Sequence, residues 1–232
     1  MTRNHLISLA AAIGIVAVLA GLYFFNNRTP SAAQLPDRMA AQLTGMNTVQ
    51  GRVDVTQGTV TLEQEFWSQP PTFMRAEVDK GPAGFQGTIV VLDAKETWVY
   101  VPSLGLVTVA DRENAPTVDG GQAGTSYLET LAADVEAALR TSKDVQIIGE
   151  EQAAGRPALR VQLFVNPTDT PFGAGQLTVW LDKRFYYPLA VEGDNGFSLR
   201  FQFARFNQEI DPATWVFVPP PGATVRRVGG GK

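Results

Sequence analysis

The strongest constraint on this chain is an alternation of apolar and polar residues at every second position, which recurs from Gln50 to Phe203. Between Thr59 and Trp67 the two kinds of side chain fall on opposite faces, with Val60, Leu62 and Phe66 against Thr61, Glu63 and Glu65. Such alternation is typical of a strand with one dry face and one wet face. The sequence therefore predicts an antiparallel sheet.

Turn residues divide this pattern into short strands. Gln57-Gly58 predicts one hairpin turn, and Asp194-Asn195-Gly196 is the strongest hairpin signal because Asn-Gly suits a type I′ turn. We count about eleven strands, the last three of them in the stretch Gln176–Val225. Their spacing of roughly 8–12 residues is typical of a sandwich or a barrel. The predicted fold class is mainly β, with two helices (α+β).

The two predicted helices flank the first half of the strands. Pro36 opens the first helix, whose apolar face carries Leu35, Met39, Leu43 and Met46. Ser126 and Glu129 predict a capping box for the second helix, which runs to about Thr141. Its apolar stripe consists of Leu128, Leu131, Val135, Ala138 and Leu139. We interpret both apolar faces as packing against the sheet. Arg112–Gly124 connects the first group of strands to the second helix, and we interpret it as an exposed loop or flap.

The N-terminus predicts a membrane segment. Leu6–Phe25 is an uncharged, mostly apolar run, and at about 1.5 Å per residue it spans roughly the 30 Å core of a bilayer. We favour an uncleaved single-pass transmembrane helix, with the large domain on the periplasmic or extracellular side of a bacterial cell membrane. Ser31-Ala32-Ala33 leaves open a cleaved signal and a secreted or periplasmic protein.

We therefore divide the chain into four parts. Residues 1–28 form the membrane anchor or signal sequence, and residues 29–34 form a linker. Residues 35–228 form the β domain, and residues 229–232 form a disordered tail rich in glycine.

Composition excludes several function classes. A net charge of −4 argues against nucleic acid as a partner. The chain has no cysteine, and its one histidine, His5, lies beside the predicted anchor. A Cys or His metal site and a His-based triad in the domain are thereby excluded. We expect no catalytic residues, no metal and no cofactor. The remaining catalytic candidates are two carboxylate pairs, Glu63 with Glu65 and Asp182 with Asp194, both of which are more simply interpreted as surface charge.

Aromatic residues on the predicted strands are the remaining candidates for function. They either fill an ordinary core or line a hydrophobic cavity that two helices are too few to cover. The sequence leaves both alternatives open.

The order of three motifs resembles the LolA/LolB-like superfamily, which includes outer-membrane lipoprotein carriers, RseB/MucB-like regulators and mycobacterial lipid-binding lipoproteins. Glu96–Pro102, followed by Leu106–Val109, is similar to its "W-x-Y-x-P … V" strand pair. Leu177–Asp182 with Tyr187-Pro188-Leu189 resembles its "W-x-D … P" strand and turn. Phe203–Gly222 resembles its "N-x-x-I … F-x-x-P-x-G" ending.

The resemblance implies a half-open antiparallel β-barrel whose helices cover the concave side and enclose a cavity for acyl chains, without enzymatic activity. The expected partners are lipid or lipoprotein acyl chains, the cytoplasmic membrane through residues 6–25, and an envelope protein. The alternative is a sensor or protein-interaction module of the RseB type. The candidate cavity-lining residues are Leu62, Phe66, Phe73, Trp98, Tyr100, Leu163, Val179, Leu199, Phe201 and Phe203.

One departure from the family pattern concerns the lid. Lipoprotein carriers have a basic residue before a proline after the second strand, which helps latch the helices. Here the corresponding stretch is Trp67-Ser68-Gln69-Pro70, which offers no cation.

Overall fold

The computed structural model describes residues 30–70, 72–111, 125–166 and 172–228. Twelve strands form a single sheet, in the order β12-β6-β5-β4-β3-β2-β1-β11-β10-β9-β8-β7. The strands are β1 Val49–Gln57, β2 Val60–Gln69, β3 Phe73–Lys80, β4 Ile89–Leu92, β5 Glu96–Val101, β6 Leu106–Asp111, β7 Val145–Ala153, β8 Arg156–Val165, β9 Gly175–Asp182, β10 Pro188–Gly193, β11 Phe197–Phe206 and β12 Thr224–Val228.

The sheet is open, since β12 and β7 lie at its two ends. Every neighbouring pair is antiparallel except β12 and β6, which pair in parallel. The prediction of a mainly β fold with two helices is confirmed. The strand count misses β12, because four of the five residues in Thr224–Val228 are exposed and show no apolar alternation.

Two α-helices lie on one face of the sheet. Helix α1 spans Leu35–Thr44, with Pro36 in its first turn and a short 3-10 turn before it, and α2 spans Thr125–Thr141. Leu35 and Met39 of α1 are fully buried, as are Leu131, Val135 and Ala138 of α2. The predicted stripes therefore pack as expected where they are described. The side chains of residues 125–129, which include the predicted capping box and Leu128, lie outside the described set.

We call the face beneath these helices the inner face. Its core joins residues of α1 and α2 to side chains from β1, β2, β3, β4 and β7–β11. Helix α2 meets the sheet along β8 and β10, while residues 32–34 contact β7. The helices therefore cover the half of the sheet that ends at β7.

A β-bulge reverses the facing of the last third of β11. Phe201 lies opposite Val53 and Phe203 lies opposite Arg52, so no residue of β1 lies directly opposite Gln202. After this irregularity Ala204 and Phe206 are buried on the inner face, while Phe203 is 39% exposed. The prediction that Phe203 shares a face with Phe201 is therefore wrong, because an inserted residue shifts the period-two pattern by one.

Residues 207–223 cross the opposite, outer face of the sheet; we call them the C-terminal segment. The segment contains a 3-10 turn, Pro212–Trp215, which Asp211 caps by accepting from the N–H of Ala213 at 2.8 Å. Arg75 on β3 donates from Nη1 to the carbonyl oxygens of Thr214 (3.0 Å) and Val216 (3.4 Å). The segment then turns and enters β12.

In the parts of the chain that the structure describes, no helix is both long enough and apolar enough to cross a bilayer. The predicted anchor at residues 6–25, the predicted flap at residues 112–124 and the predicted tail at residues 229–232 lie outside those parts.

Candidate functional site

Six of the ten predicted lining residues meet on the inner face. They are Leu62, Phe66, Leu163, Val179, Leu199 and Phe201, each at most 1% exposed. Strand register explains why they gather, since residues directly opposite each other on neighbouring strands point to the same face. Leu62 and Leu199 both lie opposite Val55, and Val191 connects Leu199 to Val179. The result is a continuous apolar row across the middle of the sheet.

Aromatic rings extend this apolar surface towards one end of the sheet. Phe66 and Phe201 meet edge to face at 6.3 Å between ring centroids, and Tyr187 contacts Phe201 at 6.0 Å and Phe206 at 5.4 Å. Burial raises the pKa of the Tyr187 hydroxyl above its ordinary value, so the ring stays neutral at physiological pH. Tyr187 and Phe206 are absent from the predicted set, although Tyr187 belongs to the "W-x-D … P" motif.

Three other predicted lining residues, Phe73, Trp98 and Tyr100, lie on the outer face. The C-terminal segment covers them: Trp215 stacks on Phe73 at 5.5 Å, and Phe217 lies 5.9 Å from Trp98 and 6.1 Å from Tyr100. They share a face because β4 connects β3 to β5: Trp98 lies opposite Val91, and Val91 lies opposite Arg75, two residues after Phe73. This aromatic group is therefore separated from Phe66 and Phe201 by the thickness of the sheet.

The tenth predicted residue, Phe203, also lies on the outer face, beneath the guanidinium of Arg205 at 5.4 Å. The ten residues thus form two groups on opposite faces rather than one wall. Alternation within each strand gives the spacing of side chains, but it does not say which face of one strand aligns with which face of a distant strand.

The inner face is less deeply buried at the other half of the sheet. On β5 and β6, Val99, Val101 and Leu106 are half-buried, and Val101 lies directly opposite Leu106. Helix α2 meets the sheet at β8 and β10 instead. The described apolar surface of the inner face therefore runs from fully buried under the helices to partly accessible at β5 and β6.

The helices are tied to each other by charge at their exposed side. Arg140 of α2 donates from Nη1 to Asp37 of α1 at 3.0 Å and from Nε to Glu136 at 2.5 Å. This ion pair is exposed, and exposed ion pairs contribute little to stability. It joins helix to helix, and so differs from the latch whose cation is missing at Trp67–Pro70.

The candidate carboxylate pair Asp182 and Asp194 is separated in the structure. Asp182 ends β9, whereas Asp194 accepts from the N–H of Gln176 near the start of β9. Six residues of strand at about 3.3 Å each place them roughly 20 Å apart. Paired catalytic carboxylates need about 5–10 Å. Asp182 instead organises the turn to β10, accepting from the N–H of Phe185 at 2.7 Å and from Arg156 Nε at 2.5 Å.

The other pair, Glu63 and Glu65, forms part of an ion-pair group on the outer face. Arg52 contacts Glu65 at 2.6 Å, Glu63 at 3.6 Å and Asp79 at 3.1 Å, and Lys80 contacts Glu63 at 3.0 Å. The hydrogen bond from Lys80, reinforced by Arg52, lowers the pKa of Glu63. A carboxyl with a lowered pKa is a poor general acid at neutral pH. This group therefore supports the interpretation as surface charge.

Comparisons with known proteins identify the fold. No family model matches the chain. An uncharacterized protein of Methanocaldococcus jannaschii is 21% identical over 223 residues, which cover 91% of this chain and 59% of the relative. The chain thus spans about three fifths of that relative's length.

Two solved structures share the architecture. An uncharacterized conserved protein from Thermus thermophilus superposes with a TM-score of 0.53 at 17% identity, covering 84% of this chain and 98% of that one. MucB superposes with a TM-score of 0.52 at 16% identity, covering 81% of this chain and 62% of its own. At these identities the likeness shows the fold alone. That fold is shared with MucB, which belongs to one of the groups that the sequence motifs resemble.

Proposed function

We propose that this chain is a non-enzymatic binder of lipid or lipoprotein acyl chains, acting as a carrier or chaperone at the outer face of the bacterial cytoplasmic membrane. The observation that carries the proposal is the continuous apolar inner face, on which Phe66, Val179, Leu199 and Phe201 share one core with α1 and α2. Leu62, opposite Val55, continues this face on β2. Acyl chains would bind between this face and the helices, which act as a lid. Residues 6–25 would hold the domain at the membrane, or a signal sequence would release it after cleavage.

The energetics favour this surface for acyl chains. Burial contributes about 25 cal/mol per Å² of apolar area, before the entropy lost on association is subtracted. The exposed ion pair Asp37–Arg140 joins the two helices to each other, so it stays intact when they move together. Movement of the two helices as a unit would expose the apolar row, and the partly accessible residues of β5 and β6 supply a point of entry.

The test compares the two aromatic groups. The full chain, purified in a nonionic detergent, is titrated with a fluorescent fatty acid, and copurifying lipid is measured by mass spectrometry. The inner-face variant Phe66→Leu/Phe201→Leu is expected to bind about three- to tenfold more weakly, because two rings are lost from the contact. The matched outer-face variant Trp98→Leu/Tyr100→Leu is expected to bind like the original chain. Circular dichroism shows that both variants are folded.

Two results would count against the proposal. Absence of copurifying lipid together with no uptake of the fatty acid excludes acyl-chain binding. A loss of uptake in the Trp98→Leu/Tyr100→Leu variant, with none in the inner-face variant, moves the ligand to the outer face.

A second candidate function is a sensor or protein-interaction module without lipid transfer. Exposed apolar side chains near the β12 end of the sheet favour it, namely Leu104 (70% exposed), Val216 (62%), Val218 (76%) and Val225 (51%). The outer edge of β12 also presents backbone groups that can pair with an added strand. A photo-crosslinker at Val218 that captures one membrane protein, in a preparation free of bound lipid, would favour this function over the first.

A further inference from the structure

A cavity opens at the end of the sheet where the β7–β8 turn, the β9–β10 turn and the end of β11 meet, and it borders the inner face through Ala204 and Phe206. It has a volume of about 550 Å³. Its lining consists of Arg156, Arg184, Phe185, Ala204, Arg205, Phe206, Asn207 and Gln208. None of these described lining residues is acidic. We call it the arginine pocket.

Two guanidinium groups are held at this pocket by aromatic rings. Arg156 lies over Phe206 at 4.8 Å and over Phe185 at 5.5 Å, and Arg184 lies over Phe185 at 5.0 Å. The two rings are themselves in contact, with centroids 4.7 Å apart. Stacking on a ring orients a guanidinium while leaving its N–H groups at the rim available to a ligand.

The positive charge at the pocket is only partly neutralised by carboxylates of the described residues. Arg156 pairs with the buried Asp182 through Nε alone, which leaves its two Nη groups without an acceptor among the described residues. Arg184 has no carboxylate partner in the parts of the chain that the structure describes. Arg205 also lines the pocket, although its guanidinium stacks on Phe203 on the outer face. The guanidiniums of Arg156 and Arg184 therefore have one carboxylate partner, Asp182, between them.

The backbone around the pocket is fixed in an uncommon conformation. Tyr186 and Asn207 both have positive φ, at 54° each, which is rare outside glycine. Asn207 is pinned by two bonds to the start of β1: its side chain accepts from the N–H of Asn47 at 2.8 Å, and its own N–H donates to Thr48 at 2.9 Å. The rim is thus organised before any ligand arrives, which lowers the entropy cost of binding.

We infer that the arginine pocket binds a phosphate-bearing anion. A carboxylate is satisfied by one guanidinium fork, whereas a phosphate presents several oxygens that can accept from two forks set at different angles. The volume admits a group larger than a phosphate ion. The phosphate could belong to a free anion or to a lipid headgroup, and the aromatic series Phe206–Tyr187–Phe201 connects the pocket to the inner face. The inference does not depend on acyl-chain binding, because inorganic phosphate has no acyl chain.

The experiment is calorimetric titration of the full chain in nonionic detergent with inorganic phosphate, against sodium chloride of equal ionic strength. Phosphate is expected to bind and chloride to give no heat. Arg184→Gln removes one charged donor without breaking an ion pair, and it should weaken phosphate binding about tenfold or more. The matched control Arg226→Gln makes the same charge change at an exposed position of β12, outside the pocket lining, and should change the affinity less than twofold.

A second arm identifies the source of the phosphate. Dihexanoyl phosphatidic acid binding more tightly than inorganic phosphate, with the same loss in Arg184→Gln, assigns the pocket to an anionic headgroup. Equal affinities assign it to a free phosphate compound. Dihexanoyl phosphatidylcholine, whose headgroup has no net charge, should bind weakly in either case.

Three results would overturn the inference. These are phosphate binding no stronger than chloride, an unchanged affinity in a folded Arg184→Gln chain, or an equal loss in Arg226→Gln. Inorganic phosphate that binds while fatty acid does not would retain the arginine pocket and reject the proposed acyl-chain function, so the two failures are distinguishable.

Discussion

At the scale of single residues, Gly51 permits the bulge that reverses the facing of β11. A Cβ atom at this position would lie 2.3 Å from the carbonyl oxygen of Phe203 and 3.0 Å from the ring of Phe201. The first contact is with backbone, which cannot rotate away. A side chain at position 51 would therefore push β1 and β11 apart where the inner-face aromatics begin.

We predict that Gly51→Ala destabilises the chain by about 2–3 kcal/mol, as measured by urea unfolding. Gly149→Ala is the matched control, because Gly149 also lies at a strand irregularity and a Cβ there would meet nothing within 4 Å. It should change the free energy of unfolding by less than about 0.5 kcal/mol. Equal effects of the two substitutions would contradict the close approach at Gly51.

Asp134 is a single residue whose charge opposes folding. It lies on α2 and accepts from the Thr130 hydroxyl at 2.5 Å, and its partial burial raises its pKa above the ordinary value. A folded-state pKa above the unfolded value of about 3.9 means that ionisation disfavours the folded state. The stability cost is absent at low pH and develops as the pH rises through this range.

Asp134→Asn should therefore raise the melting temperature at pH 7 by about 1–2 °C and change it less at pH 3.5. The amide oxygen can still accept from Thr130, so the hydrogen bond is kept. Asp144→Asn makes the same change at an exposed site and should leave the melting temperature unaltered at both pH values. An increase in melting temperature that is larger at pH 3.5 than at pH 7 would contradict the stability cost assigned to the ionised Asp134.

At the scale of elements, the C-terminal segment is a cover for the outer face. Its two rings, Trp215 and Phe217, pack on Phe73, Trp98 and Tyr100, while Val216 and Val218 between and after them point to solvent. The alternation resembles that of a strand, but the segment crosses the sheet instead of joining it. Arg75 supplies the hydrogen bonds that a neighbouring strand would have made.

We expect Trp215→Ala and Phe217→Ala each to destabilise the chain by about 2 kcal/mol, below the 3–5 kcal/mol typical of fully buried aromatics, because both rings are only half-buried. Phe217→Ala should also increase the fluorescence quenching of Trp98 by acrylamide, because Phe217 is the ring that packs on Trp98. Val216→Ala and Val218→Ala are the controls and should cost less than about 0.5 kcal/mol. A larger loss of stability in the valine variants than in the aromatic variants would mean that Val216 and Val218, and not the rings, face the sheet.

At the scale of the whole molecule, stability is expected to fall from the middle of the sheet to its β12 end. β1 and β11 are central, paired on both sides and packed on the inner-face core. β12 is a short, mostly exposed strand that pairs with β6 along one edge. Local opening is easiest where few apolar contacts and few protected hydrogen bonds must be broken.

Hydrogen exchange followed by mass spectrometry should show this order. Amides of β1 and β11 are expected to exchange most slowly and those of β12 fastest. β7 is the matched edge strand, and it should be slower than β12 because residues 32–34 contact it and Ala153 is buried. Exchange from β12 as slow as from β1 would contradict this distribution of stability.

Much of this fold follows from the sequence, because the signals involved are local. Period-two alternation marks β2 and β11, and Pro36 with its apolar stripe marks α1. The order of three motifs indicates the fold that MucB also has. The gathering of Leu62, Leu199 and Val179 also follows from alternation once the strands are paired.

Other features were decided only by the tertiary structure. Alternation cannot show which faces of distant strands coincide, so Phe73, Trp98 and Tyr100 could not be separated from Phe66 and Phe201 without the register of the sheet. Gln202 has no residue directly opposite it in β1, and this extra residue turns Phe203 outwards. No local signal in the sequence predicts the bulge. The arginine pocket joins two turns and the end of β11, which are distant along the chain. The sequence by itself determined the strands, because each strand depends on its own residues; the tertiary structure determined the faces and the pocket, because these depend on how the strands are paired.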